Sequence, residues 1–289
     1  MRDHEGRQMH TVGRRRFFLL GICCALGFAG HEALAERPGQ TPVAFHWPTG
    51  KRAAVSLSFD DARTSQVDEG LALLKKMGVK VTFFVTPGGV EKRLDGWKQA
   101  VLDGHEIANH SLTHPCSGNY AFSSGNALET YTLESMAQQL DEANGRIEKL
   151  LGVKPTTFAY PCGQKFVGRD RNVKSYVPLI AERFLAGRGY MDESPNDPAL
   201  ADLAQAMGTA FDDMDFLQMK TIVDAAAADG RWVIFAGHEI GRKAYQTTDL
   251  RALEQLCAYL KDPANGIWPG TVAEVGAYVR DRQREAAAR

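Results

Sequence analysis

The chain has 289 residues, of which 44% are hydrophobic and 24% are charged, the balance of an ordinary soluble globular protein. Its 34 basic and 35 acidic side chains give a formal net charge of −1. This near-neutral charge excludes the basic surface that nucleic-acid-binding proteins carry, so we expect no nucleic-acid partner.

The first 35 residues have the pattern of an export signal. Residues 14–16 are three arginines, an apolar run follows as far as Phe28, and residues 33–35 are small enough for a cleavage site. The paired arginines also resemble a twin-arginine signal. The apolar run is shorter than the roughly 20 residues that cross a bilayer. We therefore expect residues 1–35 to be removed, leaving an exported periplasmic or extracellular protein without a membrane span.

The rest of the chain is expected to hold a single domain. Residues 36–50 contain three prolines and two glycines without periodicity, which predicts a linker. The domain is expected over 51–281, and 282–289 is expected to be a C-terminal tail. No pattern in the sequence predicts the oligomeric state.

Strand patterns alternate with helix patterns along the whole domain. Apolar and β-branched runs predict strands over 53–59, 79–85, 105–108, 156–160, 231–236 and 267–275. Apolar residues at helical spacing predict helices over 65–77, 94–102, 130–151, 176–185, 216–228, 249–260 and 276–284. This alternation is typical of parallel βα units and favours an α/β fold, with an incomplete barrel preferred over an open sheet.

Residues that bind metals or move protons follow three of these strands. Asp60 and Asp61 end the first strand, His110 and His114 follow the third, and His238 follows a later one. The two histidines are four residues apart, which places both rings on one side of a helical turn and within reach of one metal ion. Because the carboxyl ends of parallel strands meet at one face, all five side chains are expected to open on the same face.

The order of these motifs resembles a known family. Four segments follow one another along the chain: Ser-Phe-Asp-Asp at 58–61, Asn-His-Ser-Leu-Thr-His at 109–114, Ala-Tyr-Pro-Cys-Gly at 159–163 and Ala-Gly-His at 236–238. In this order they resemble the motifs of polysaccharide deacetylases of the NodB-homology type, carbohydrate esterase family 4. The resemblance implies a distorted (β/α)7-type barrel and a divalent metal. It also implies removal of N- or O-acetyl groups from an acetylated glycan.

The resemblance also implies roles for individual residues. Asp61, His110 and His114 match the metal ligands, and three protein ligands leave a position open for water, as a hydrolytic metal needs. Asp60 matches the general base and His238 the general acid. Two histidines and one carboxylate favour zinc, with cobalt, nickel and manganese as alternatives.

The third motif implies a substrate and oxyanion wall. Tyr160, Pro161 and Cys162 match it, and the backbone N–H of Cys162 matches the oxyanion donor. The family has an arginine two residues before the proline, where this chain has Ala159, and an aromatic residue after the proline, where it has Cys162. We expect another cation to replace the arginine, unless the base is tuned differently; the candidates are Arg63, Lys165 and Arg169.

In the family, an aspartate also orients the acid histidine. Asp212 and Asp215 are the nearest matches in this chain, and Asp192 is a rival. A disulfide between Cys116 and Cys162 is expected as well, because both motifs border one groove, and Cys257 is then a free thiol.

Two other functions stay open at this stage. One is hydrolysis of a small cyclic amide or imide, although relatives of that kind often lose the metal triad that this chain keeps. The other is glycan binding without catalysis, which has no use for a base and an acid. Tyr120, Phe122 and Trp268 are candidate platforms for sugar rings, and core packing is the alternative use of each.

Overall fold

The computed structural model describes residues 45–242 and 244–289. The predicted signal at 1–35 and most of the predicted linker lie outside these residues. Among the described helices, none is both long and apolar enough to cross a membrane.

The strands are short, and helices alternate with most strands of the central sheet. They are β1 (Ala53–Asp60), β2 (Thr82–Val85), β3 (Glu106–Asn109), β4 (Thr157–Ala159), β5 (Phe166–Val167), β6 (Lys174–Ser175), β7 (Ala186–Arg188), β8 (Thr209–Ala210), β9 (Trp232–Gly237), β10 (Glu239–Gly241), β11 (Thr247–Asp249) and β12 (Ile267–Pro269). The helices are α1 (Leu71–Met77), α2 (Pro87–Glu91), α3 (Leu94–Leu102), α4 (Leu133–Leu151), α5 (Val177–Arg183), α6 (Phe216–Asp229), α7 (Leu250–Lys261) and α8 (Val272–Ala287).

One eight-stranded parallel sheet forms the centre of the fold. Its strand order is β7-β4-β3-β2-β1-β9-β8, and β12 pairs with the first residues of β1. The edge strands β7 and β8 are not paired with each other, and an isolated bridge between Arg188 and Ala206 links β7 to the segment before β8. The result is an incompletely closed (β/α) barrel, which confirms the predicted fold class.

Alternation along β1 decides which side chains face the helices. Leu57 and Phe59 belong to the large apolar cluster that packs with α1, α3, α6 and α7. Ala54 lies on the other face, with small residues of the neighbouring strands and with Trp232. Because successive side chains of a strand point to opposite faces, Asp60 continues the Ala54 face and arrives at the carboxyl end of the sheet.

Three of the differences from the sequence prediction lie near the ends of the domain. The strand expected over 267–275 ends at Pro269, because Thr271 caps α8 with a capping box and the chain turns helical at Val272. Helix α8 continues to Ala287, through most of the predicted tail. Trp47, in the predicted linker, packs on the domain and donates a hydrogen bond to the carbonyl of Gly230 over 2.9 Å.

Candidate metal centre and active site

The carboxyl ends of the parallel strands surround a groove of about 1030 Å³. Asp60 ends β1, His110 follows β3, Cys162 follows β4, and His238 follows β9. The groove is lined by side chains from several of these strand ends, among them Asp60, Asp61, His114, Cys162, Tyr190, Asp212 and His238. The sequence prediction that the clusters open on one face therefore agrees with the structure.

Asp61, His110 and His114 form a compact ligand set. Asp61 Oδ1 lies 3.5 Å from His110 Nε2 and 3.4 Å from His114 Nε2. Metal–ligand bonds of about 2.0–2.1 Å at tetrahedral angles separate ligand atoms by about 3.4 Å, so this donor set fits a divalent cation. His110 Nδ1 lies 2.9 Å from the carbonyl oxygen of Ala159, which leaves Nε2 as the lone-pair nitrogen.

The two histidines do not lie on a helical turn, so that part of the sequence reasoning was wrong. The loop after β3 instead turns through left-handed backbone at Ser111 (φ 64°) and His114 (φ 52°). Asn109 Oδ1 accepts from the Ser111 N–H over 2.6 Å, and Ser111 Oγ accepts from the His114 N–H over 3.0 Å. These side chains stabilise a backbone that residues other than glycine rarely adopt, and they bring the two rings within 4.8 Å of each other.

The electrostatics of the ligand set favour the forms that bind metal. Burial alone raises the pKa of Asp61, but the close contact with His110 and the neighbouring His114 and His238 outweigh it and hold the pKa well below its usual range. Burial, together with His110, lowers the pKa of His114 to about 4 despite the nearby carboxylates. At neutral pH the ligands are therefore a carboxylate and a neutral imidazole, ready to donate lone pairs.

Asp60 is buried beside the ligand set and is held by an arginine. Its Oδ1 accepts a hydrogen bond from Arg188, which is fully buried at the end of β7, and its Oδ2 lies 3.9 Å from His110 Nε2. Arg188 also donates to the carbonyl of Gly189 over 2.7 Å and lies 4.8 Å from the centre of the Phe84 ring. The cation that the third motif lacks therefore comes from the neighbouring strand.

The three cations proposed for this position from the sequence are used elsewhere. Arg63 pairs with Asp61 Oδ2 over 2.9 Å, and Lys165 lies over the Tyr160 ring. Arg169 directly precedes a short 3₁₀ turn and does not line the groove. The prediction missed Arg188 because it assigned no strand to residues 186–188, a segment too short to show periodicity.

His238 is held by a carboxylate at the end of β9, the strand next to β1. Asp212 Oδ2 lies 2.6 Å from His238 Nδ1, and its Oδ1 accepts from the His238 backbone N–H over 3.0 Å. Gly237 makes this approach possible, because a Cβ there would lie 3.0 Å from Asp212 Oδ1 and 2.6 Å from the Phe211 ring. Burial lowers the pKa of His238, but the Asp212 hydrogen bond and the nearby carboxylates outweigh it, so the pKa is raised.

Three other sequence candidates lie outside the reacting groups. Asp215 caps α6 by accepting from the Gln218 backbone N–H, so it does not orient His238. Asp192 accepts instead from the Gly208 N–H over 2.8 Å. The Tyr160 side chain is fully buried and donates to the Ala204 carbonyl, so Cys162 and not Tyr160 lines the groove.

A disulfide closes one wall of the groove. It joins Cys116, two residues after His114, to Cys162. Cys162 has left-handed backbone (φ 54°) and lines the groove directly after Pro161. Cys257 is a buried free thiol on α7, and burial raises its pKa to about 12.

Two functional candidates escaped the sequence reasoning. Gln66 is fully buried in a π-helical turn, and its Nε2 donates to the carbonyls of Asp60 (2.6 Å) and His238 (2.8 Å), which joins the ends of β1 and β9. Tyr190 lines the groove with its ring 5.4 Å from the His238 ring. Had β7 been recognised, the alternation from Arg188 to Tyr190 at its end would have indicated these two residues, whereas no sequence pattern indicated Gln66.

Fold and site together define the class of protein: an α/β barrel whose groove holds a buried carboxylate–arginine pair, an imidazole–carboxylate pair and three side chains that fit a divalent cation. Residues 47–177 match the sequence model of the family described as polysaccharide deacetylase. The chain therefore carries a polysaccharide deacetylase domain of the NodB-homology type, carbohydrate esterase family 4.

Individual relatives agree with this assignment. The peptidoglycan-N-acetylmuramic acid deacetylase PdaC of Bacillus subtilis is 26% identical over 202 residues, which are 68% of this chain and 34% of that protein. The chain spans less than half the length of the curated relatives that it matches first.

Two solved structures show the same fold at low identity. The PuuE allantoinase has a TM-score of 0.58 at 16% identity, covering 80% of this chain and 91% of that one. The Xyl-CE4 domain of a multidomain xylanase from the hindgut metagenome of Trinervitermes trinervoides has a TM-score of 0.50 at 20% identity, covering 77% and 89%. Since the fold is shared with an allantoinase, the reaction must be argued from the site.

Proposed function

We propose that this protein is a metal-dependent deacetylase that removes N- or O-acetyl groups from an extracytoplasmic polysaccharide. The observation that carries the proposal is the arrangement at the groove. The side chains of Asp61, His110 and His114 form a set that fits a divalent cation. Asp60 lies beside this set and is bound by Arg188, and His238 follows the neighbouring strand and is bound by Asp212. A relative named as a peptidoglycan deacetylase supports the substrate class.

The metal is proposed to be zinc, bound through Asp61 Oδ1 and the Nε2 atoms of His110 and His114. Two imidazoles and one carboxylate suit zinc, and cobalt, nickel and manganese are the alternatives to separate by elemental analysis. A divalent cation bound there supplies a Lewis acid and lowers the pKa of water. Arg63 binds the second oxygen of Asp61, which leaves Oδ1 directed at the histidines.

Asp60 is the proposed general base. Its carboxylate lies next to the ligand set and is fixed by the Arg188 hydrogen bond, so one oxygen keeps a constant direction toward the attacking water. Taking a proton from that water raises its nucleophilicity toward the acetyl carbonyl carbon.

His238 is the proposed general acid. The Asp212 carboxylate at its Nδ1 holds the ring, so Nε2 is the nitrogen that gives a proton to the departing amine or hydroxyl. The backbone N–H of Cys162 is the proposed donor to the developing oxyanion. The Tyr190 hydroxyl is the proposed second donor, because burial and the nearby Asp212 and Asp60 raise its pKa to about 12 and keep the phenol protonated.

Replacing Asp212 with asparagine is expected to move the alkaline limb of the pH–rate profile to lower pH. His238 must carry a proton to act as the acid, and Asp212 raises its pKa, so activity is lost as pH rises through that raised pKa. Without the carboxylate the proton leaves at lower pH, by about one pH unit or more. The measurement is kcat/KM against pH for both proteins, and an unmoved alkaline limb would contradict the role of Asp212.

Replacing Gln66 with methionine is expected to lower kcat about tenfold while KM and bound metal stay unchanged, because the ends of β1 and β9 are no longer tied together. The matched control is Asn196→Leu. Asn196 is a buried amide that donates to the Trp232 carbonyl at the start of β9, away from the groove. The melting temperature, metal content, KM and kcat are measured for both, and an equal loss of kcat in the control would reject a positioning role for Gln66.

Acetate release tests the proposed function. Purified metal-loaded protein is incubated with N-acetylated chitin oligomers, acetylated xylan, peptidoglycan fragments and allantoin, and acetate or ring opening is measured. We expect acetate from at least one glycan and no ring opening. Ring opening would favour the cyclic-amide reaction, and glycan binding without acetate release from any glycan would favour a binding module.

Export is part of the proposal and rests on residues 1–35. N-terminal sequencing of protein collected outside the cytoplasm is expected to begin at Glu36. A mature chain that still carries the apolar run would show that this segment is an anchor instead.

A further inference from the structure

Two exposed aromatic rings line the groove beside the ligand set. Tyr120 is 45% exposed and Phe122 is 69% exposed, and their rings stack with centroids 5.4 Å apart and an interplanar angle of 30°. Trp268, the third aromatic candidate from the sequence, packs against Trp47 and Tyr278 instead. Core packing therefore accounts for Trp268 but not for the Tyr120–Phe122 pair, whose faces remain open to the groove.

The segment that carries these two rings is braced by side chains. Ser123 Oγ accepts from the Cys116 N–H and donates to the Cys116 carbonyl, both over 2.9 Å. The Asn126 amide donates to the Thr113 carbonyl over 3.1 Å, and the Tyr131 hydroxyl donates to Asn126. The pair is thereby fixed to the loop that carries His114, and a surface held in place before binding loses less entropy on binding.

The Tyr120–Phe122 pair lies close to the proposed reaction centre. The Phe122 ring lies 6.3 Å from the His114 ring, and both aromatic side chains line the same groove as Asp60 and His238. A groove of about 1030 Å³ has room for more than the single group that reacts at the ligand set. Flat apolar rings next to a hydrolytic site match the apolar C–H face of a pyranose.

We propose that Tyr120 and Phe122 form a binding platform for the sugar ring next to the one that loses its acetyl group. This inference rests on the proposed function and sharpens it, since it makes the substrate an oligomer or polymer of pyranose units and excludes a single sugar as the preferred substrate. The platform carries no charge of its own, so it selects for ring shape and chain length.

The test compares kinetic constants across chain length. The probes are N-acetylglucosamine and its β-linked tetrasaccharide, with the metal-loaded enzyme and acetate release as the readout. Phe122→Ala and Tyr120→Ala are each expected to raise KM for the tetrasaccharide roughly five- to tenfold, the size of one lost aromatic contact, with kcat nearly unchanged. The KM for the monosaccharide is expected to stay at its wild-type value.

Matched variants separate the effect of losing the aromatic ring from an effect on folding. Phe122→Tyr keeps a ring and is expected to keep the wild-type KM, whereas Phe122→Leu keeps an apolar side chain without the ring and is expected to behave like Phe122→Ala. Phe166→Ala removes an aromatic side chain that is 58% exposed outside this groove and is expected to change neither constant. Melting temperatures of all variants establish that each one folds.

Several outcomes would overturn the platform while leaving the proposed function intact. In the first, the wild type releases acetate from the tetrasaccharide, and the double variant Tyr120→Ala/Phe122→Ala has the same KM for it. An equal rise of KM for the monosaccharide is another, because the rings would then contact the reacting sugar. If the wild type releases no acetate from any acetylated glycan, the proposed function itself is wrong.

Discussion

Asp60→Asn is expected to lower the rate of acetate release by about 10²–10⁴ with bound metal at the wild-type level, whereas Asp61→Asn is expected to lose metal and activity together. The two residues are adjacent, but their side chains have different partners. Asp61 Oδ1 faces the Nε2 atoms of the two histidines within 3.5 Å. Asp60 is bound by Arg188 and lies no closer than 3.9 Å to His110 Nε2.

The backbone explains how neighbouring carboxylates reach different places. Asp60 is the last residue of β1, and Asp61 has left-handed backbone with φ 73°. This turn directs Asp61 toward the loop after β3 while Asp60 stays at the end of the strand. Asparagine preserves the size of each side chain, so the fold is kept and only the charge and the proton acceptor are removed.

Elemental analysis beside acetate release separates the two roles. Excess metal is expected to restore part of the activity of Asp61→Asn and none of the activity of Asp60→Asn. Asp141→Asn, on the exposed surface of α4, is the control and is expected to change neither quantity. Loss of metal from Asp60→Asn with retention in Asp61→Asn would reverse the assignment.

The sequence predicted the parts of the site that follow long, regular strands. β1 is apolar at five of its first seven residues and ends in Asp60, and β9 is apolar throughout and ends just before His238, so both residues could be placed at one face before the structure was known. The alternating strands and helices also predicted the parallel barrel correctly. In each case the evidence was local periodicity, which a single sequence contains.

The parts that were missed depend on contacts between distant segments. Nothing in Ala186–Arg188 shows that it is a strand, because three residues with a glycine in the middle and another glycine directly after them have no period. The convergence of His110 and His114 was expected for the wrong reason, since the loop uses left-handed residues in place of a helical turn. Gln66 lay within a predicted helix, and its link to Asp60 and His238 depends on strand neighbours that the sequence does not reveal.

Among these missed residues, Arg188 is expected to have the largest effect on stability and activity when it is replaced. It is fully buried, and its partner Asp60 is 3% exposed. Removing one member of a buried ion pair leaves a charge without a partner, which typically costs 3–5 kcal/mol. The sheet register places Arg188 directly beside Ala159, the position at which the family carries its arginine.

Arg188→Met is therefore expected to lower the melting temperature by about 10 °C and kcat by about 10–100-fold, with bound metal unchanged. The matched control is Arg183→Met, which removes the surface pair with Asp141 and is expected to leave kcat at the wild-type value. The decisive variant moves the cation across the sheet: Ala159→Arg combined with Arg188→Ala is expected to recover part of the lost kcat, because the two Cα atoms are paired in the register of β4 and β7. Thermal melts, metal content and the kcat of the folded protein are measured for each variant. A wild-type kcat in folded Arg188→Met would show that Asp60 acts without its arginine.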